Sequence, residues 1–133
     1  MKLSRKTDYG IILLKFLAPT YKSGEFVAVS EIAEKHLLPA VFLEKLADIL
    51  RKNKYLEAKR GNKGGYRLIK NPQEINLREM IDVFEEKPMM RCMQSAHPEK
   101  YCPLVSVCPA RKTWSLVDEK VNKIFKGITL ARL

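Results

Sequence analysis

Residues 39–68 read PAVFLEKLADILRKNKYLEAKRGNKGGYRL. Their first half predicts a helix. Pro39 suits the opening position, Leu43, Leu46, Ala47 and Leu50 recur at helical spacing, and Asn53 can close the last turn. The second half predicts a hairpin with strands near Tyr55–Ala58 and Tyr66–Ile69. Its tip, Lys59-Arg60-Gly61-Asn62-Lys63-Gly64-Gly65, combines turn-forming glycines with cations. A helix running directly into a basic hairpin is the pattern of a winged helix-turn-helix. In such a unit the helix offers its N-terminal residues to base edges in the major groove. The hairpin tip reaches a neighbouring groove or phosphate.

The flanking sequence extends this pattern in both directions. Upstream, Ser4 is positioned to cap a helix that runs to about Ala18, where Pro19 stops it. Tyr9, Ile12, Leu13, Phe16 and Leu17 give that helix an apolar side. Tyr21 to Gly24 reads as a turn and Phe26–Val29 as a short strand. Ser30 then reads as the cap of a short helix with Glu31 in its first turn. Downstream, Asn76 and Glu79 have capping-box spacing ahead of a helix burying Leu77, Met80, Ile81 and Phe84, with Pro88 at its end. Residues 88–109 read as irregular, and a last helix near Ala110–Lys126 puts Trp114, Val117, Val121, Ile124 and Phe125 on one side. The expected fold is mainly α with a small β hairpin, a winged helix-turn-helix followed by a long C-terminal helix. Residues 1–75 would form the DNA-binding region and 76–133 the cysteine loop and final helix, together one compact domain of a 133-residue chain.

Charge agrees with a polyanionic partner. The net charge is +10, of which residues 1–75 contribute +7 and residues 76–133 contribute +3. Between Arg51 and Lys70 stand eight basic residues and one acid, Glu57. Candidate DNA contacts are Arg5 and Lys6 at the first helix; Ser30; Pro39, Ala40, Val41, Phe42, Glu44 and Lys45 on the recognition helix; Arg51; and Arg60, Gly61, Asn62, Lys63, Gly64, Gly65 and Tyr66 on the wing. Phe42 fits a core position equally well. Glu44 repels phosphate but can accept a hydrogen bond from cytosine N4. No segment reaches the roughly 20 apolar residues of a membrane span, and no signal-peptide pattern follows the N-terminal charges, so a cytoplasmic protein is expected. With two histidines and neither a Ser/His/Asp set nor a phosphate loop, no enzyme signature is present.

All three cysteines, Cys92, Cys102 and Cys108, fall in the irregular stretch, spaced Cys-x9-Cys-x5-Cys. Reduced thiols at these long spacings suit an iron–sulfur cluster better than the closely spaced pairs of structural zinc. The alternative is a winged-helix repressor without a cluster, controlled by zinc, a thiol redox switch or a protein partner. A cluster normally takes four protein ligands, and His97 lies within the same loop.

Taken together, MKLSRKTDYGIILLKFLA at the start, the hairpin RGNKGGYRL, INLREMIDVFEE and the three-cysteine loop resemble the IscR/NsrR-type family of bacterial winged-helix regulators. The resemblance covers nearly the whole chain. It implies a homodimer packed through the final helix, a near-palindromic double-stranded DNA operator, and repression in most cases. It also implies a cluster on Cys92, Cys102 and Cys108, a cofactor that can be absent from purified protein. Family members that sense cluster supply place a histidine three residues after the third cysteine, where this chain has Arg111. Nitric-oxide-sensing members can use an N-terminal aspartate from the other subunit, and Asp8 occupies the matching place. That match favours a [4Fe-4S] over a [2Fe-2S] centre, with His97 as the alternative ligand. The nine-residue first spacing is longer than the five common in these groups.

Overall fold

The computed structural model describes residues 2–86 and 90–133. Helices α1 (Arg5–Leu17), α2 (Thr20–Ser23), α3 (Val29–His36) and α4 (Ala40–Lys52) lead into strands β1 (Leu56–Lys59) and β2 (Gly65–Leu68). Then come α5 (Leu77–Phe84), the single turn α6 (Arg91–Gln94), a 3-10 turn at Pro98–Lys100, the long α7 (Arg111–Gly127) and a final 3-10 turn at Leu130–Arg132. The mainly helical fold with one antiparallel hairpin agrees with the sequence reading, the strands being displaced by one residue.

One apolar stripe from each of α1, α3, α4 and α5 builds the core. Leu13, Leu14 and Leu17 of α1 meet Leu43, Leu46, Ala47 and Leu50 of α4, Ile32 and Ala33 of α3, and Met80 and Phe84 of α5. Leu56 and Leu68, facing each other across the hairpin, close it from the wing side. Gly10 allows α1 and α5 to touch, since a Cβ there would lie 2.2 Å from the Phe84 ring. Asn76 and Glu79 form the expected capping box: the Glu79 N–H donates to Asn76 Oδ1 (3.0 Å) and the Asn76 N–H to Glu79 Oε2 (3.1 Å). Glu79 also accepts from Lys70 Nζ at 2.6 Å, and that ammonium lies 4.9 Å from the centre of the Tyr55 ring. Asn53 closes α4 as expected, its Nδ2 donating to the Ile49 carbonyl at 2.8 Å.

Several local expectations are corrected. Ser4 occupies the N-cap position of α1, yet its hydroxyl is buried without a partner. Glu85 of the segment after α5 takes over: it accepts from the Ser4 N–H (2.7 Å) and the Thr7 hydroxyl (2.5 Å). Ser30 lies inside α3, whose cap is Ala28. The helix starts early because Val27 is fixed by exchanging two 2.9 Å hydrogen bonds with Tyr66. That single bridge is all that remains of the strand expected at Phe26–Val29. The turn expected at Tyr21–Gly24 is helical, α2 (Thr20–Ser23), ended by Gly24 at φ +71. Leu77 is only partly buried. Pro88, expected to end α5, lies outside the described residues; the described helix ends at Phe84. The stretch after residue 88, expected to be irregular, contains α6 and a 3-10 turn.

Residue 130 returns the chain to the core. The Leu77 N–H donates to the Ile128 carbonyl (2.7 Å) and the Leu130 N–H to Ile75 (2.8 Å), and Leu130 is buried. Between that anchor and the cysteine loop, α7 buries none of its own residues. Trp114, Leu116, Val117 and Ile124 remain exposed along it.

Candidate nucleic-acid interface and cysteine centre

Helices α3 and α4 and the hairpin form one surface. On α4 the buried stripe leaves Val41, Glu44, Lys45 and Asp48 on the outer face, at the i, i+3, i+4, i+7 spacing of a single strip. Pro39 and Ala40 are exposed at its start. Phe42 is different: it is half-buried and packs edge-on against Tyr9 at 5.6 Å. Ser30 is exposed on α3. Arg51 donates to Asp48 (2.7 and 3.1 Å), which also pairs with Lys52 at 2.9 Å. Those bonds from Lys52 and Arg51 hold the Asp48 carboxyl below its usual range.

The hairpin tip is a glycine construction. Gly61 and Lys63 have φ of +93 and +59, and the Gly64 N–H donates to the Gly61 carbonyl at 3.0 Å. A Cβ on Gly64 would lie 2.3 Å from the Lys59 carbonyl oxygen, so only glycine fits this turn. Arg60, Gly61, Asn62 and Lys63 are exposed. Below them Lys59 and Arg67 lie 5.8 and 5.0 Å from the centre of the Phe26 ring. Arg67 also pairs with Glu57 and donates to the Gly24 carbonyl, so its charge serves the base of the wing rather than its tip. Burial, followed by the Glu44 and Asp48 carboxylates, pushes the Tyr66 phenol up. At the start of α1 Arg5 is exposed, while Lys6 pairs with Glu86 at 3.1 Å.

Cys92, Cys102 and Cys108 are free, half-buried, and line one cavity of about 440 Å³. Met90, Met93, Tyr101 and Trp114 supply apolar wall, and Arg91 and Arg111 the polar edge. Arg111 also donates to the Val105 carbonyl at 2.7 Å, bracing the segment between the second and third cysteines. Among the described residues no three His, Cys, Asp or Glu side chains converge tightly enough to hold one metal ion. A soft donor set gathered around a space this wide fits a multi-iron cluster better than a lone zinc. His97 is outside the cavity lining, exposed, with Nδ1 3.3 Å from Glu99. Asp8 is exposed on α1, also outside the lining of its own chain's cavity.

A hydrogen-bonded hub was not foreseen from the sequence. Arg78 on α5 donates to Asp82 (2.6 and 3.0 Å), to Asn122 on α7 (3.0 Å) and to Gln94 on α6 (3.3 Å). Gln94 donates in turn to Asp118 of α7, which also accepts from Asn122. The Arg78 side chain is only 15% exposed, so this network is shielded enough to fix the three helices in one arrangement. Cys92 lies two residues before Gln94 on the same turn.

Comparisons with known proteins show the family and the fold. Residues 3–133 match the Rrf2 family, described as iron-dependent transcriptional regulator. The HTH-type transcriptional regulator NsrR of Bacillus licheniformis is 36% identical over 109 residues, spanning 81% of this chain and 74% of that one. Among solved structures, T. potens IscR is similar with a TM-score of 0.74 at 27% identity, over 99% of this chain and 85% of that one. Staphylococcus aureus CymR in its oxidized form gives a TM-score of 0.72 at 28% identity, over 99% and 94%.

Proposed function

We propose, from the premise that this chain belongs to the Rrf2 family of transcriptional regulators, that it is a homodimeric repressor whose grip on a near-palindromic operator is set by an iron–sulfur cluster. The single observation that carries the sensing part is the gathering of all three cysteines of the chain around one cavity. Cys92, Cys102 and Cys108 would hold the cluster. Asp8 of a second subunit is the preferred fourth ligand, because it is exposed on α1 while His97 points elsewhere, to Glu99. A bound cluster supplies a centre that nitric oxide, oxygen or iron loss can dismantle.

In this reading the state of the loop reaches DNA through the chain's own residues. Gln94 ties the Cys92 turn to Arg78 and Asp118, hence to α5 and α7. The exposed Trp114, Val117 and Ile124 of α7 offer an apolar seam for a second copy. Helix α5 packs on α1 and α4, so a shift at Gln94 reorients the recognition helix relative to the seam. Two recognition helices must keep about one helical repeat between half-sites, and a change in their spacing loosens both.

A second reading keeps the DNA binding and replaces the cluster with a thiol switch. The three free thiols in one cavity favour it, as does the likeness to a regulator solved in an oxidized form. Iron and acid-labile sulfide, measured with the visible spectrum on protein purified without oxygen, separate the two. About four irons per subunit support a [4Fe-4S] centre and about two a [2Fe-2S] centre. Neither metal nor sulfide after reconstitution leaves the thiol reading. Unchanged operator affinity and unchanged effector response in Cys102→Ala would refute both.

A further inference from the structure

Two apolar side chains stand in solvent at the turn between α3 and α4. Leu37 is 94% exposed and Val41 is 74% exposed. Their immediate neighbours Leu38 and Phe42 pack against the core. Leu37 also holds a left-handed backbone, φ +53 and ψ +43, as the cap of α3. The Leu38 N–H donates to Ala33 at 2.8 Å, closing a turn that helices usually end with glycine. A leucine there bears steric strain and buries nothing in return. Folding accounts for neither side chain, and both lie where a helix-turn-helix enters the major groove.

Val41 is the second residue of α4 and shares its outer strip with Glu44 and Lys45. The strip therefore offers an apolar group, an acceptor and a cation in succession. Among groups on base edges in the major groove, the methyl of thymine is the apolar one. An apolar protein partner would suit the valine and leucine equally, but Lys45 beside them and the exposed Arg60 and Lys63 on the wing complement phosphates. We infer that Val41, flanked by Leu37, reads thymine methyl groups, while Glu44 one turn further on accepts from the amino group of a neighbouring base. The side chain at position 41 then acts as a specificity determinant as well as a groove filler.

This inference rests on the DNA-binding reading. Its test starts by enriching a randomised duplex library on the full chain. In the enriched duplex each thymine is then replaced singly by deoxyuridine, which lacks only the methyl. Affinity is expected to fall about fourfold at the position that Val41 meets. Val41→Ala should bind the thymine duplex more weakly by a similar factor and become indifferent to deoxyuridine there. As Val41 is exposed, that variant should keep the parent's urea midpoint. Deoxyuridine duplexes that all bind like their parent, or full methyl sensitivity in Val41→Ala, would overturn the inference. Salt-dependent binding with no sequence enriched would overturn it while sparing the DNA-binding reading. Absence of binding to any duplex would overturn both.

Discussion

Replacing Gly65 by alanine should open the bridge between the wing and Val27, whereas the same change at Gly61 should leave that bridge closed. A Cβ on Gly65 would lie 2.2 Å from the Val27 carbonyl oxygen and 2.6 Å from the Ala28 nitrogen. Both are backbone atoms and cannot swing aside. Relief requires the Val27–Tyr66 bridge to open, losing two 2.9 Å hydrogen bonds. Gly65 also sits at φ +144, which an alanine rarely adopts. Two backbone bonds at about 1 kcal/mol each, plus about 1–3 kcal/mol of backbone strain, give a loss of about 3–5 kcal/mol. Gly61 has φ +93 and no atom within 4 Å of its would-be Cβ, so only strain applies there. That strain, about 1–2 kcal/mol, is partly offset by the lower freedom of alanine in the unfolded chain. Urea unfolding of both variants checks the difference. A difference of about 2–3 kcal/mol and a slope of about 2 kcal/mol per molar put the Gly65→Ala midpoint about 1 M below that of Gly61→Ala. Salt-dependent DNA binding should weaken in parallel. Equal midpoints for the two variants would refute the claim that the Val27 contact holds the wing.

Three further outcomes are expected. Leu37→Gly should raise the melting temperature by a few degrees, since about 1–2 kcal/mol of left-handed strain is relieved against about 0.5–1 kcal/mol of added unfolded-state freedom; a lower melting temperature in calorimetry would show that Leu37 is not strained. Burial pushes the Glu85 carboxyl up, but the Ser4 and Thr7 hydrogen bonds outweigh this and leave it below its ordinary 4.5. Because the folded value is the lower one, its contribution is complete above that pH and is lost as pH falls through the folded value. Glu85→Gln should therefore be less stable than the parent at neutral pH, with the gap closing under acid; a gap constant with pH in urea titrations would contradict the ionised cap. Lys63→Ala should weaken binding to all duplexes about equally and reduce the salt slope by about one ion, which fluorescence anisotropy across a salt series measures; a loss confined to one operator base would rule out a phosphate role.

What the sequence made legible was local. The Asn76–Glu79 box, the apolar stripe of α4 and the glycine tip depend on residues a few positions apart, and all three appear in the structure. Ser4 and Ser30 failed as caps for long-range reasons. Glu85, 81 residues from Ser4, takes the first helix's donors, and the Val27–Tyr66 bridge decides where α3 begins. The Arg78 hub joins positions 78, 94, 118 and 122 from three helices, and no periodicity in the sequence points to it. The cysteines stood out in the sequence through their chemistry and their clustering within seventeen residues. Their shared cavity required the fold, as did the orientation of His97 away from it.

The base of the hairpin is held quite differently from its tip. Glu79 caps α5 and grips Lys70, and Lys70 rests over Tyr55, so both feet of the hairpin are bolted to the helical body through one carboxylate. From Arg60 to Lys63 every residue is exposed. The hairpin is thus a socket with an interchangeable bit. A tip of different charge or reach can be grafted between Lys59 and Gly64 with Tyr55, Lys70 and Glu79 left in place, and a regulator with a new preference for groove width would keep its original body.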